Sequence, residues 1–253
     1  MPEQLDQLAA DLAVVTFVPQ ADSGQRFGLL QARARRLLEV KLAFEAKRGP
    51  DDPPLVVIAG GTNVGKSTIF NWVVGDDVAS SSPLARHTKA PTVYVHAAEL
   101  GLLREGSFLP SYERLKLENR DDPAQEKSLG EGASAYFLLT HERAEVKGVV
   151  LVDSPDIDST HARNREVAED LLFLADVVLF VATPEKYNDA LCVEYMEQAA
   201  RLRKGLVWAL NKGADQAVAD DLRDAIRTQA RGGEPPRMLE LPYLPKPDPA
   251  SDA

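Results

Sequence analysis

Cysteine is almost missing: the 253 residues contain one, Cys192. A lone cysteine forms no internal disulfide and has no second ligand at metal-binding spacing. A disulfide-stapled scaffold and a cysteine-based metal site are therefore excluded, and a reducing, cytoplasmic setting is expected. Long apolar runs are equally scarce. The longest, residues 171–182, is too short for a bilayer span and carries Asp176 within it. The first residues lack the basic region of a secretory leader and carry Glu3 and Asp6 instead. A soluble protein is expected, with peripheral membrane contact left open. Positive charge is also in deficit, since 29 Lys+Arg against 39 Asp+Glu leave a net charge of −10. A sequence-independent grip on nucleic acid rests on phosphate neutralisation, so nucleic acid is not an expected partner. The basic residues that do cluster (Arg33, Arg35, Arg36, Lys41, Lys47 and Arg48) alternate with apolar ones and read as the solvated side of a helix.

A hydrophobic fraction of 44% and a charged fraction of 27% suffice for an ordinary globular core. Leu5, Leu8, Leu12 and Val15 recur at helical spacing and predict a short first helix that Pro19 ends. Asp22 or Ser23 can cap a second helix running to about Arg48, with Phe27, Leu30, Ala34, Leu37, Leu38 and Phe44 along one stripe. After a Gly/Pro/Asp break at 49–54, the apolar run 55–59 reads as a strand buried on both faces. Further strands are predicted at 92–97, 112–117, 135–140, 148–152, 177–182 and 206–210, with a weaker one at 238–241. Helical patterns cover 66–74, 163–175, 190–203 and 216–231. This alternation implies a mostly parallel sheet with helices on both faces. Residues 99–145 break the alternation, and their polar loop 119–132 suggests an insertion at one sheet edge. The expected organisation is an N-terminal helical segment (1–49), a main domain (50–233, insertion about 99–145) and a Pro-rich strand and tail (234–253).

One motif carries chemistry. Gly60-Gly61-Thr62-Asn63-Val64-Gly65-Lys66-Ser67 matches Gly-x-x-x-x-Gly-Lys-Ser/Thr, with a strand before it and a helix after it. Glycines at 60, 61 and 65 let successive N–H groups curl around phosphates. The following helix adds the positive end of its dipole. Lys66 brings a charge for the β- and γ-phosphates, and Ser67 a hydroxyl for Mg²⁺. A second acid for that metal is Asp153, at the end of the strand Val149-Val150-Leu151-Val152. Ser154 and Pro155 follow it, where many ATPases place a water-activating Glu, so a GTP-dependent switch is favoured.

These residues resemble the TrmE–Era-type and dynamin-like branch of the translation-factor-like GTPases. Gly61 through Ser67 together with Thr68 looks like that branch's loop, Asp153-Ser154-Pro155-Asp156 like its Asp-x-Pro-Gly switch II, and His87-Thr88-Lys89-Ala90-Pro91 like its Thr-Arg-x-Pro switch I. The resemblance covers roughly 55–215. It implies a three-layer α/β P-loop sheet, mostly parallel with an antiparallel edge and an inserted β-rich segment, preceded by N-terminal helices. It further implies GTP and GDP as ligands, Mg²⁺ held by Ser67, Thr88 and Asp153, and an effector protein that the sequence does not identify. Thr88 is the expected switch I ligand, and Thr92 competes but already begins a strand.

Three departures qualify the resemblance. Asp156 replaces the switch II glycine, and its carboxylate would be repelled by phosphate unless it points away or meets a cation. Ile157 stands where many GTPases have a water-orienting Gln. Asn211-Lys212-Gly213-Ala214-Asp215 approximates the guanine motif Asn-Lys-x-Asp, with the acid one residue late. Asp215 either reaches the base through a bulge at Gly213 or caps the helix at Gln216. Asn63 corresponds to the residue that helps bind a catalytic K⁺ in potassium-stimulated relatives, and the alternative is a hydrogen bond to the switch backbone. Lys66, Thr88 and Asn63 are thus the catalytic candidates, and a homodimer across the nucleotide face would complete the site. A non-hydrolysing nucleotide-binding module stays open. A P-loop kinase, with Arg86, Arg163 and Arg165 as lid candidates, is less favoured. No metal-ligand spacing links His87, His96, His141 and His161.

Overall fold

The computed structural model describes residues 23–46, 48–75, 78, 90–103, 107–116, 135–187, 189–213, 216–229 and 236–242. The expected first helix, the polar loop 119–132 and most of the tail lie outside them.

A sheet of eight strands is ordered β3-β4-β2-β5-β1-β6-β7-β8 among the described residues. The strands are β1 (Leu55–Gly60), β2 (Thr92–His96), β3 (Glu113–Lys116), β4 (Ala135–His141), β5 (Val150–Asp153), β6 (Val177–Ala182), β7 (Gly205–Leu210) and β8 (Arg237–Glu240). Parallel pairing joins β5, β1, β6, β7 and β8. At β2–β5 the direction reverses, and β2, β4 and β3 then run parallel to one another. The expected antiparallel edge is thus a flank of three strands. The central strand β1 is the apolar run Leu-Val-Val-Ile-Ala, and all of its residues except Val56 are buried. Burial on both sides explains why it lacks the alternation of a half-exposed strand.

The helices around the sheet are α2 (Lys66–Val74), α3 (Ala162–Leu174), α4 (Ala190–Arg201) and α5 (Gln216–Gln229). Gly75, in the left-handed region at φ 69°, stops α2 and donates its N–H to the Asn71 carbonyl. Ile69, Phe70 and Val74 of α2 pack with Ile58, Tyr94, Leu151 and Val181 of the sheet in one buried cluster. Complete burial of Phe70 contributes roughly 1.5–3 kcal/mol. This packing fixes the start of α2 over the C-terminal end of β1. Asp189 caps α4 by accepting from the Leu191 N–H at 3.0 Å. Lys204 donates to the Phe173 and Ala175 carbonyls at the end of α3, each at 2.7 Å.

Two compact units divide the chain, residues 1–52 with 100–111 and residues 53–99 with 112–253. The first contains α1 (Ser23–Glu45). Its buried face is Leu38, Val40 and Phe44, and Phe44 meets Phe108 edge-to-face at 5.8 Å. Leu30, expected on that stripe, is 63% exposed. Arg33 and Arg35 are exposed, as a solvated helix face requires, while Arg48 lies 5.1 Å above the Phe44 ring. The second unit holds the sheet and every described residue of the phosphate-loop motif.

Candidate nucleotide-binding site

Strand β1 delivers Gly60 to the sheet's C-terminal edge, and α2 begins six residues later at Lys66. Between them the backbone takes conformations that ordinary side chains resist. Asn63 has φ 62° and Gly65 has φ 98°, and a Cβ on Gly65 would run into the Asn211 amide. Asparagine tolerates the left-handed region better than most residues, which suits position 63. The amide of Asn211, which follows β7, donates to the Val64 carbonyl at 2.8 Å, and its own N–H bonds the Ala182 carbonyl at 2.8 Å. Asn211 is buried and ties the loop to two neighbouring strands. The guanine-type motif containing Asn211 does not by itself predict that tie. Lys212 is exposed at φ 69°, and its ammonium donates to the Asn63 carbonyl at 2.7 Å. Gly213 follows at φ 65°, so two consecutive residues take the left-handed conformation there. Asp215 and Thr88 lie outside the described residues. Thr92, the competing choice in switch I, is buried as the first residue of β2 and pairs in register with Asp153.

Two of the three metal candidates, Ser67 and Asp153, come together. Ser67, in the first turn of α2, donates its hydroxyl to Asp153 Oδ2 at 2.7 Å, and Asp153 ends β5 beside β1. Asp153 is 1% exposed, and its Oδ1 is buried with no hydrogen-bond partner among the described residues. Burial pushes its pKa from 3.8 up to about 6. Lys66 and the Ser67 hydroxyl pull it down, and Asp156 raises it. An orphaned, desolvated carboxylate oxygen beside a serine hydroxyl is the environment that a divalent cation relieves. Ser67 and Asp153 therefore fit Mg²⁺.

Lys66 is buried at 5% exposure, so it does not point freely into solvent. Its ammonium donates to the Gly61 carbonyl at 2.9 Å and forms an ion pair with Asp156. The carboxylate that repulsion alone would turn away has met a cation, and that cation is the loop lysine. Asp158 accepts from both the N–H and the hydroxyl of Thr62 at 2.7 Å, and from Lys186 at 2.7 Å. Burial raises the Asp158 pKa, but the hydrogen bonds from Lys186 and Thr62 outweigh it and hold the carboxyl below its ordinary value. Neither Asp158 nor Lys186 stands out in the sequence. Lys186 lies in the β6–α4 connection with no motif around it, and only the fold brings it to the loop.

Ile157 is buried and lines a cleft of about 200 Å³ with Ala168, Leu191 and Tyr195. His161 is exposed. Arg163 is held by Glu166 at 2.8 Å and lies 4.8 Å over the Tyr112 ring, and Arg165 donates to the Ser159 carbonyl at 2.7 Å. Both arginines are engaged by neighbouring groups, and Arg86 lies outside the described residues. Gly60, Gly61, Thr62, Asn63, Val64, Gly65, Lys66, Ser67 and Thr68 form one continuous strand–loop–helix, and Asn211, Lys212 and Asp153 meet it from β7 and β5.

Residues 55–212 match the family described as 50S ribosome-binding GTPase. A curated relative, the "Probable transmembrane GTPase FZO-like, chloroplastic" of Arabidopsis thaliana, is 24% identical over 198 residues, which are 78% of this chain and 19% of that protein. Among solved structures, two chains of an oligomerised bacterial dynamin pair, described as a mechanism for long-range sensing and tethering of membranes, superpose with TM-scores of 0.54 and 0.53. Their identities are 11% and 12%, and the match covers 94% of this chain in each case but 37% and 44% of theirs. At such identities the structural likeness is one of fold. No described helix is long and apolar enough to cross a membrane. With a strand-fed phosphate loop, an acid from β5 on its serine and a family match over most of its length, the chain belongs to the 50S ribosome-binding GTPase family.

Proposed function

We propose that the chain is a GTP-hydrolysing molecular switch that binds GTP and GDP with Mg²⁺, acts in the cytoplasm and is completed by a second copy across the nucleotide face. The observation that carries this reading is the Ser67–Asp153 hydrogen bond at 2.7 Å, which joins the loop hydroxyl to a buried acid with a free oxygen. In this reading the loop amides of 60–67 and Lys66 bind the phosphates. Ser67, Asp153 and Thr88 would hold Mg²⁺, which would supply positive charge against the phosphates. Asn211, Lys212 and Asp215 recognise guanine. Asn63 assists a K⁺ that compensates for Ile157, whose side chain cannot orient water. The bacterial dynamins with the same fold form an oligomerised pair, which supports assembly as a way to complete the site.

Titration calorimetry tests the reading. Lys66→Ala should weaken GTP binding by about 10–100-fold or more, the value of a lost charge-assisted contact. Equal affinity in a folded variant would remove the phosphate-loop assignment. ATP affinity equal to that for GTP would remove the guanine assignment. A second reading, a nucleotide-binding module without turnover, is favoured by the burial of Ile157 and by the engagement of Lys66 with Asp156. Single-turnover hydrolysis with Mg²⁺ separates the two.

A further inference from the structure

Lys66 is the mobile charge of the phosphate loop, and among the described residues its acceptors are the Gly61 carbonyl and the Asp156 carboxylate. The side chains of the pair are 5% and 9% exposed, so water screens their attraction little. The backbone around Asp156 is fixed. Ser154 N–H bonds Ile58 at 3.1 Å, Ile157 N–H bonds Gly60 at 3.3 Å, and Ser159 N–H bonds the Asp156 carbonyl at 3.3 Å. Both flanks of the residue are thus tied to β1, and the carboxylate's approach to Lys66 is dictated by the main chain. Its neighbour Asp158 is balanced by Lys186, whereas the cation facing Asp156 is the loop lysine itself.

We infer that Asp156 is a specificity-determining residue, which biases the site toward a nucleoside diphosphate by competing with the terminal phosphate of a triphosphate for Lys66. The inference rests on the reading of residues 60–67 as a phosphate loop. Within such a loop, backbone amides and the start of the helix surround the inner phosphate. The terminal phosphate projects beyond that cradle, toward whatever follows β5. It would call on the charge of Lys66 and on the side where Ser67 and Asp153 would hold a metal. Asp156 lies in that space. It pairs with Lys66, and its charge is felt at Asp153. A diphosphate, whose β-phosphate also meets Lys66, shares the ammonium with the carboxylate and brings no further phosphate toward Asp156. A triphosphate must push the carboxylate off the lysine and then sit beside its negative charge.

The test compares GDP with a slowly hydrolysed GTP analogue, each titrated with Mg²⁺ into the full chain. Wild type should favour the diphosphate. Asp156→Asn, which keeps the shape and removes the charge, should shift the triphosphate-to-diphosphate affinity ratio by about tenfold or more toward the triphosphate. Asp156→Gly should shift it the same way, which guards against a fold defect in either variant, and circular dichroism confirms folding. Asp224→Asn removes an equal charge from the exposed face of α5, so its ratio should stay within about threefold of wild type. An unchanged ratio in both Asp156 variants, or an equal shift in Asp224→Asn, would overturn the assignment while nucleotide binding stood. Failure of wild type to bind either nucleotide would overturn the phosphate-loop reading and this inference with it.

Discussion

Asp153 is asked to be charged in a place that resists charge. It is almost fully buried, one oxygen has no partner among the described residues, and burial moves its pKa from 3.8 up to about 6. A raised carboxylate pKa means that the folded chain holds the proton more tightly than the unfolded one. This group's contribution to stability is therefore greatest below the ordinary carboxylate range and falls as pH rises from about 4 through about 6. A shift of this size corresponds to on the order of 2–3 kcal/mol. In EDTA at pH 7.5, Asp153→Asn should accordingly raise the melting temperature, because the neutral amide can still accept from Ser67 without the cost of ionisation. With Mg²⁺ and GDP the order should invert, since wild type gains a metal ligand and the variant does not. A variant that melts lower than wild type in EDTA would show that the buried charge is already compensated. The acid and its serine are legible in the sequence because a strand, a loop and a helix carry fixed residue types. The contacts of Asp156 with Lys66, of Lys186 with Asp158 and of Asp158 with Thr62 are not legible. They join residues 90, 28 and 96 positions apart through side chains whose partners only the packed sheet decides.

At the scale of elements, the join between β1 and the loop carries the tightest constraint. Gly60 ends β1 at φ 154°, and a Cβ there would collide with the Val181 carbonyl of β6 and lie 3.0 Å from Val64. The Val181 carbonyl cannot retreat, because β1 and β6 pair in parallel through this residue. Gly60→Ala should therefore destabilise the fold by about 2–3 kcal/mol, combining an unfavourable backbone angle with the collision. Urea denaturation would read this as a lower midpoint at unchanged slope, and a loss below about 0.5 kcal/mol would show that the strand end relaxes freely. The strands and helices themselves are visible as runs and periods: β6 spans residues 177–182 and α2 residues 66–74, as the apolar patterns predict. Strand direction is less visible. All five residues of β2 are buried, so no alternation distinguishes its faces, and nothing local records that it runs against β5. In α1 the helical period is clear, but its apolar stripe wrongly includes Leu30, because the aromatic partner that selects the buried face, Phe108, is far away in sequence.

For the whole molecule, the question is where a hydrolysing site would find the stabilisation that a glutamine provides elsewhere. Ile157 lines the cleft with Leu191 and Tyr195, and an isoleucine offers no group to orient water. Developing charge on the phosphates must be met by a cation, and an arginine finger supplied by another molecule can contribute ~10³–10⁵ in rate. Asn63 is exposed in the left-handed region, with its carbonyl on Lys212, so a monovalent ion or a second copy can approach the loop at this residue. Hydrolysis by dilute protein should accordingly be slow, and faster in K⁺ than in Na⁺ at equal ionic strength. Turnover per chain should rise with protein concentration as copies pair. Asn63→Ala should erase the K⁺ response and retain GTP binding, since the backbone amides and Lys66 remain. The chain matches 19% of the FZO-like relative's length, so the equivalent domain there is one part of a larger protein. Equal rates in both salts, independent of concentration, would leave Ile157 uncompensated and favour the module that binds nucleotide without turning it over.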